Sequence, residues 1–308
     1  MNEAPTITVA ILSPGDMGHG IGRVLREGGA RVITCLRGRS QRTRSLAALA
    51  GIEDVADLDA VAQQADIILS IMVPGKAVAL GAELAAALKR TAGHPVIVDC
   101  NAISPATARR IAETIEEHGG LFVDAGIIGV PPADGTHGPR LYVSGHNARE
   151  LLVLRDFGID VRVVGDQVGQ ASGLKMCYAS VTKGFTALAT IQQTAALALG
   201  LSEHLNRELA LSNPAVLAWM EAMVPSMPPK AYRWVGEMEE IAATFDALGL
   251  PPRMMLGAAD LYALTAATSL GTEVPESRAS GESINAVARI LVEEHLLRGT
   301  APDRQDSV

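Results

Sequence analysis

Closely spaced glycines near the start of the chain have the type and spacing that suit a phosphate-binding turn. An apolar stretch at residues 7–12 runs into Gly15 and Gly18, and a helix is predicted to follow them. Glycines at this junction let backbone amides approach a pyrophosphate, and the positive N-terminus of the helix favours the phosphate charge. Ser13 stands where the usual G-x-G-x-x-G pattern has its first glycine. The turn predicts a dinucleotide site formed by Ser13, Gly15, Asp16, Met17 and Gly18.

A second apolar stretch, residues 30–36, follows that helix at the spacing of a βαβ unit. An acidic residue at the end of such a strand binds the ribose hydroxyls of NAD, whereas arginine accommodates the 2′-phosphate of NADP. Leu36 occupies the acidic position, and residues 37–42 contain three arginines and no acid. The sequence therefore predicts NADP, bound by Arg37, Arg39 and Ser40. In the alternative interpretation, the arginines form a solvated loop and the glycines an ordinary tight turn.

The elements that position these residues alternate between strands and helices, which is typical of a doubly wound α/β domain. Further strands are predicted at 51–55, 66–74, 95–100, 121–124, 140–144 and 161–164. Helices are predicted at 42–50, 58–64 and 77–90, and Ser104 caps another. From Gly169 onward the chain has long, alanine-rich helical stretches. We predict a Rossmann-type NADP-binding domain over residues 1–166, and an all-α substrate and dimerisation domain over residues 167–308.

Composition narrows the class of protein further. The net charge is −8 and aromatic residues make up 3% of the chain, which disfavours nucleic-acid binding. Without an apolar run long enough to span a bilayer, we expect a cytoplasmic protein with no membrane partner. Cys35, Cys100 and Cys177 lie far apart in apolar segments. Their spacing predicts buried thiols without disulfides and no metal site.

Five motifs occur in the order found in the β-hydroxyacid dehydrogenase superfamily, which includes 6-phosphogluconate dehydrogenase and the imine reductases. They are the glycine turn, Met72-Val73-Pro74, and residues 99–105, 124–129 and 169–175. Over roughly residues 7–200 the chain resembles this superfamily, and residues 232–240 resemble the helical domain of a little-characterised branch. The resemblance implies that Met72, Val73, Pro74 and Asn101 bind the cofactor.

The same resemblance implies that Lys175 is the catalytic residue. Hydride delivery to a carbonyl develops charge on its oxygen, and a nearby proton donor lowers that barrier by a factor of ~10² to 10⁴. A buried lysine suits this role, because desolvation lowers the pKa of an ammonium. Lys175 stands two residues further from Gly169 than the superfamily pattern has it.

A helical wheel gives Lys175 independent support. One face is apolar, with Leu174, Cys177, Val181, Phe185 and Leu188. About 120° away lies a narrow stripe of Lys175, Ala179, Thr182, Thr186 and Gln193. In the alternative interpretation, the stripe faces solvent or hydrogen-bonds its own helix. Lys183, beside the stripe, is predicted to be a surface or phosphate-contacting charge.

Departures from the superfamily pattern indicate an altered substrate. Ile128 replaces a serine that helps hold a substrate carboxylate, Asn101-Ala102 replaces a Ser-Thr pair, and Tyr178 replaces an asparagine. A bulkier or less charged carbonyl compound, or an imine, fits better than a small hydroxyacid. The predicted substrate-binding residues are Asn101, Ile128, Gly129, Val130, Tyr178, Thr182 and Arg233.

Arg233 begins a polar stripe on a later predicted helix, opposite an apolar face that includes Trp234 and Met238. The stripe continues through Glu237, Glu240 and Thr244. Such a stripe is either a solvated helix face or the lining of a cleft, in which Arg233 would pair with an anionic substrate.

The leading hypothesis is a cytoplasmic NADPH-dependent dehydrogenase or reductase of β-hydroxyacid type, with Lys175 as general acid in reduction and general base in oxidation. An imine reductase is the first alternative, although members of that branch often have aspartate or tyrosine in place of this lysine. A protein that senses NADPH without turnover is the second. We also predict a homodimer, because the helix at about 170–199 is too apolar and too long for a small domain to cover.

We expect NADPH to bind at least about tenfold more tightly than NADH, or about 1.4 kcal/mol, because Arg37 and Arg39 make charge-assisted contacts with the 2′-phosphate. Arg37→Ala should remove much of this preference and leave the NADH affinity nearly unchanged. Fluorescence titration with each cofactor measures the dissociation constants. Equal binding of NADPH and NADH by the unmodified protein contradicts the prediction.

Overall fold

A computed structural model describes residues 7–132, 138–276 and 278–296 of the chain. These residues group into two compact units, Met1–Cys177 and Tyr178–Val308, and each unit is described by itself.

The first unit contains an eight-stranded, mostly parallel sheet, as predicted. Its strands are β1 (Thr8–Leu12), β2 (Arg31–Thr34), β3 (Glu53–Asp54), β4 (Ile67–Ser70), β5 (Val96–Asp99), β6 (Leu121–Ile128), β7 (Arg140–Ser144) and β8 (Asp160–Gly165). The strand order is β3-β2-β1-β4-β5-β6-β7-β8. Only the pair β6 and β7 is antiparallel among these strands. The strand order reverses at β1, and ligands of open α/β sheets bind at such a switch point.

Strand β1 shows why the predicted strands are continuously apolar. Val9 and Ile11 belong to one hydrophobic cluster, and Ala10 and Leu12 belong to another on the opposite face. Successive side chains of a strand point to opposite faces, so a sheet covered on both sides needs apolar residues at every position.

Helices of the first unit are α1 (Asp16–Glu27), α2 (Gln41–Leu49), α3 (Leu58–Gln64), α4 (Pro74–Arg90) and α5 (Pro105–Glu116), with a 3₁₀ segment at Ala148–Phe157. The predicted cap at Ser104 is confirmed, since its hydroxyl accepts a hydrogen bond from the amide of Thr107 at 3.2 Å. The predicted start of α4 at Ala77 is wrong. Pro74 opens this helix instead of merely ending β4, because proline at the first helical position loses no needed donor.

The second unit is helical, as predicted. Helix α6 (Gln170–Ala198) spans the division between the units, and α7 (Ser202–Ser212), α8 (Pro214–Met223), α9 (Ala231–Asp246), α10 (Arg253–Ala266) and α11 (Ile284–Leu291) follow. Tyr262 is fully buried and packs edge-on against Trp234, with ring centroids 5.2 Å apart. Within the described residues, none of the helices combines the length and the apolar composition that a membrane span requires.

Helix α6 leaves part of its apolar face exposed and buries part of its polar stripe. Val181 is 68% exposed and Leu188 is 60% exposed, whereas Thr186 and Gln193 are buried. The threonines tolerate burial because they hydrogen-bond their own helix: Thr186 Oγ1 donates to the carbonyl of Thr182 at 2.7 Å. The alternative interpretation of this stripe, as helix-bonding side chains, is therefore the one observed for Thr186.

Candidate functional site

The predicted phosphate turn follows β1 at the switch point of the sheet. A Cβ added at Gly18 would lie 2.3 Å from the carbonyl oxygen of Ser13, so only glycine lets α1 begin this close to the strand. At Gly15, the residue before α1, an added Cβ would meet nothing within 4 Å. Open space here, in front of a helix N-terminus that lacks a side-chain cap, fits a pyrophosphate.

The end of β2 bears the arginines that the sequence analysis assigns to the cofactor. Leu36 donates its amide to Asp54 Oδ1 at 2.8 Å. Arg37 and Arg39 line a crevice of about 450 Å³, and Arg39 Nε is buried without a hydrogen-bond partner among the described residues. Arg42, the third arginine of this segment, forms an ion pair with Asp16. Two guanidinium groups are thus placed at the crevice, and the third is engaged at the start of α1.

Asn101 lies at the ends of β4 and β5, in a closed hydrogen-bond network. Its Oδ1 accepts from the amide of Met72 at 2.5 Å, and its Nδ2 donates to Ser70 Oγ at 2.9 Å and Asp99 Oδ2 at 2.8 Å. The residue is 1% exposed. Contrary to the expectation of an amide open to ligands, Asn101 fixes the backbone that leads from β4 to Val73 and Pro74.

Lys175 reaches back from α6 to β6. Its Nζ donates a hydrogen bond to the carbonyl oxygen of Ile127. A Cβ added at Gly126 would lie 3.0 Å from Lys175 Cβ and 2.9 Å from the carbonyl oxygen of Ala171. Glycine at position 126 therefore allows the helix to approach the strand closely enough for this contact.

A buried carboxylate that the sequence interpretation did not assign to the site lies on β6, three residues before Ile127. Asp124 is fully buried and accepts hydrogen bonds from Gly169, Ser172 and Ser144. The signal available in the sequence was an acidic residue inside an otherwise apolar strand, because a buried charge needs several donors.

Cys100 lies in the same electrostatic environment. Burial raises the pKa of its thiol well above the usual range, and the charges of Asp99 and Asp124 act in the same direction, opposed by Lys175. The thiol is consequently held neutral. Cys177, by contrast, is exposed, so the prediction that all three cysteines are buried is wrong for this residue. Its position on the outward apolar face of α6 is the reason.

The remaining predicted substrate residues are divided between the units. In the first, Ile128 is buried at the end of β6, Gly129 has a φ of +132°, and Val130 is 71% exposed. In the second, Tyr178 is 47% exposed, and Thr182 and Arg233 are half-buried.

Lys183 does not form the surface charge predicted for it. It pairs with Glu237 at 2.7 Å, and each side chain is only 12% exposed. Its Nζ also lies 5.3 Å from the ring centroid of Trp234. A carboxylate 54 positions later in the chain therefore compensates for its burial.

Two domain families match the chain. Residues 8–151 match the NAD-binding domain of 6-phosphogluconate dehydrogenase, and residues 196–265 match a domain of unknown function, DUF1932. The first match covers the glycine turn and β6, and the second covers α7 to α9. The first unit thus contains the segment that matches a dinucleotide-binding domain.

Two curated relatives each match part of the chain. An uncharacterised 28.5 kDa protein of Methanothermus fervidus is 32% identical over 174 residues, which cover 56% of this chain and 65% of that protein. The 3-hydroxyisobutyrate dehydrogenase of Pseudomonas aeruginosa is 31% identical over 203 residues, which cover 60% of this chain and 62% of that enzyme. The chain thus spans less than two thirds of either curated relative.

A solved structure matches over more of the chain. It is a conserved protein of unknown function, described as structurally similar to 3-hydroxyacid dehydrogenases. It is 28% identical, with a TM-score of 0.62 over 84% of this chain and 97% of that protein.

We expect iodoacetamide at pH 8 to leave Cys100 unmodified in the native protein. The thiolate is the reactive form, and the raised pKa and the burial of Cys100 both suppress it. Mass spectrometry of the Cys100 peptide measures the extent of labelling. Unfolding in guanidinium chloride is the control and should make Cys100 reactive. Native labelling of Cys100 at the rate found after unfolding would show that its thiol is not protected.

Proposed function

We propose that this chain, whose residues 8–151 match the NAD-binding domain of 6-phosphogluconate dehydrogenase, is an NADPH-dependent oxidoreductase that interconverts a carbonyl group and a hydroxyl group. The observation that carries the proposal is the placement of Lys175, whose Nζ reaches the carbonyl oxygen of Ile127 at the edge of the sheet that also bears the glycine turn. A proton donor at this edge is what carbonyl reduction requires.

Three features of the first unit support binding of the cofactor there. Gly15 leaves open space before α1, where the backbone from Ser13 to Gly18, including Asp16 and Met17, would hold the pyrophosphate. We assign Arg37, Arg39 and Ser40 to the 2′-phosphate, because guanidinium groups and a hydroxyl are suitable donors for it. Met72, Val73 and Pro74 would flank the nicotinamide half, with Asn101 fixing their backbone. When bound, NADPH supplies the hydride.

Lys175 holds and moves the proton in this proposal. Its ammonium carries three N–H donors, and the hydrogen bond to the carbonyl oxygen of Ile127 orients the amine. In reduction the ammonium donates a proton to the oxygen that develops negative charge. In oxidation the neutral amine accepts the proton from the hydroxyl group.

The residues that follow Ile127, the hydrogen-bond acceptor of Lys175, favour a substrate with little charge. Ile128 offers no hydroxyl where a serine would help hold a carboxylate, and its side chain is buried. We assign Ile128, Gly129 and Val130 to an apolar substrate boundary, and we also assign Tyr178, Thr182 and Arg233 to substrate binding. The apolar boundary also supports imine reduction as a second candidate, against which the retention of Lys175 counts.

The partner that we propose is a second copy of this chain. On the second unit, α6 and α10 form an apolar groove of about 480 Å³. Large exposed apolar side chains line it or lie beside it, namely Val181, Leu188, Ile191, Met254 and Leu256. An apolar surface of this kind is typical of a protein interface. We also place the enzyme in the cytoplasm, where cysteines without disulfides are expected.

We expect Lys175→Ala to lower kcat by about a hundredfold or more, because the general acid is lost, while the Kd for NADPH changes little. Three probes are assayed: reduction of ethyl benzoylformate, reduction of 2-phenyl-1-pyrroline, and oxidation of 3-hydroxyisobutyrate. The rate of reduction should fall as rising pH removes the ammonium form of Lys175, and the rate of oxidation should rise.

Lys89→Ala, which removes an exposed lysine at the end of α4, is the matched control and should keep the native rate. A folded Lys175→Ala protein with near-native turnover would refute the assignment of the proton donor. Tight NADPH binding with no turnover of any probe would instead identify a sensor, and turnover of the pyrroline alone would identify an imine reductase.

We expect light scattering to give twice the 32.2 kDa mass of one chain at micromolar concentration. Leu188→Glu should shift the protein to the mass of one chain, because it places a charge in the apolar interface. Leu49→Glu, at an equally apolar exposed position on α2, should leave the mass unchanged. A single-chain mass for the unmodified protein would contradict the proposed dimer.

A further inference from the structure

We propose that Asp124 is a positioning residue that sets the place of Lys175 by anchoring the first turn of α6 to β6. The inference rests on the proposed function, because it concerns how the proton donor is held. The carboxylate of Asp124 joins the strand to four donors, three of them in residues 169–172 at the start of α6.

The hydrogen bonds of Asp124 fix the start of α6 relative to β6, both along the helix axis and in rotation about it. Oδ2 accepts from the amides of Gly169 and Ser172 at 2.8 and 3.0 Å, and Oδ1 accepts from Ser172 Oγ at 2.5 Å. Ser144 Oγ, from the neighbouring β7, donates to Oδ2 at 2.9 Å and accepts from the amide of Ala171 at 2.9 Å. The amides of the first helical turn, which lack partners within the helix, are thus satisfied by one buried carboxylate and one hydroxyl.

Lys175 makes the second attachment between the same two elements. It follows Ser172 by three residues, and its acceptor Ile127 follows Asp124 by three residues. Gly126, between the two attachments, allows the close approach of α6. The helix is therefore held at two points, one turn apart, and loss of the first leaves Lys175 on a helix start that is free to shift.

The positions of the donors define the variants that separate hydrogen bonding from charge. Asp124→Ala removes every acceptor and leaves the amides of Gly169 and Ser172 buried without it. Asp124→Asn keeps one oxygen for those amides and lets its Nδ2 donate to Ser172 Oγ, so it keeps the geometry and removes the charge. A positioning role predicts that asparagine rescues what alanine loses.

We expect Asp124→Ala to lower kcat by about tenfold or more, since small displacements of a catalytic group cost large factors in rate, while the Kd for NADPH stays within about twofold. Asp124→Asn should stay within about threefold of the native kcat. The assay uses whichever of the three probes above the native enzyme turns over fastest. Ser283→Ala removes the side-chain cap of α11 and is the matched control, because it costs stability without changing kcat.

A second measurement needs no turnover. The rate at which sulfo-N-hydroxysuccinimide acetate acetylates Lys175, relative to exposed Lys89, should rise several-fold in Asp124→Ala and stay native in Asp124→Asn. Should Asp124→Ala fail to fold, Ser144→Ala removes one bridge and should give a smaller change in the same direction.

Native kcat and native acetylation of Lys175 in folded Asp124→Ala would overturn the inference. So would an Asp124→Asn protein as impaired as the alanine variant, because the carboxylate would then act through its charge. Loss of activity in Lys175→Ala with native activity in Asp124→Ala would leave the proposed function intact and refute only the anchor. Native activity in Lys175→Ala would refute the proposed function, whatever acetylation shows about the anchor.

Discussion

The parallel arrangement of β1, β2, β4, β5 and β6 is the constraint on which the site depends. Parallel strands bring their carboxyl ends to one edge, so the chain returns to the same place after each crossover. The glycine turn, the arginines, Asn101 and Lys175's acceptor are each contributed by the end of a different strand. The residues of the candidate site therefore come from separate segments of the chain, and the sheet brings these segments together.

Close approach of a helix start to a strand is used twice at this edge. Gly18 lets α1 begin against the carbonyl of Ser13, and Gly126 lets α6 pack on β6. The consequences differ. The start of α1 faces open space and has no side-chain cap, whereas the amides at the start of α6 are bound by Asp124. One helix start is suited to receive a ligand, and the other is suited to hold a side chain still.

Local patterns in the sequence were sufficient to predict the alternating elements, the residues of α3 and the cap at Ser104. They failed where partners come from distant segments. Lys183, predicted to be a surface or phosphate-contacting charge, is buried against Glu237, 54 positions later in the chain. The bonds of Asp124 join residues that are 20 to 48 positions apart, so spacing alone gave no indication of them. The roles assigned to the site residues remain predictions.

The ion pair of Lys183 and Glu237 limits how the sequences of α6 and α9 can change independently of each other. Removing one member of a buried pair costs about 3–5 kcal/mol, whereas replacing both members by apolar residues of similar volume is often neutral. Each side chain is only 12% exposed, so replacing one of the two residues leaves the charge of the other buried without its partner. Related chains should therefore keep both residues or lose both, and the two positions should vary together through the evolution of this domain.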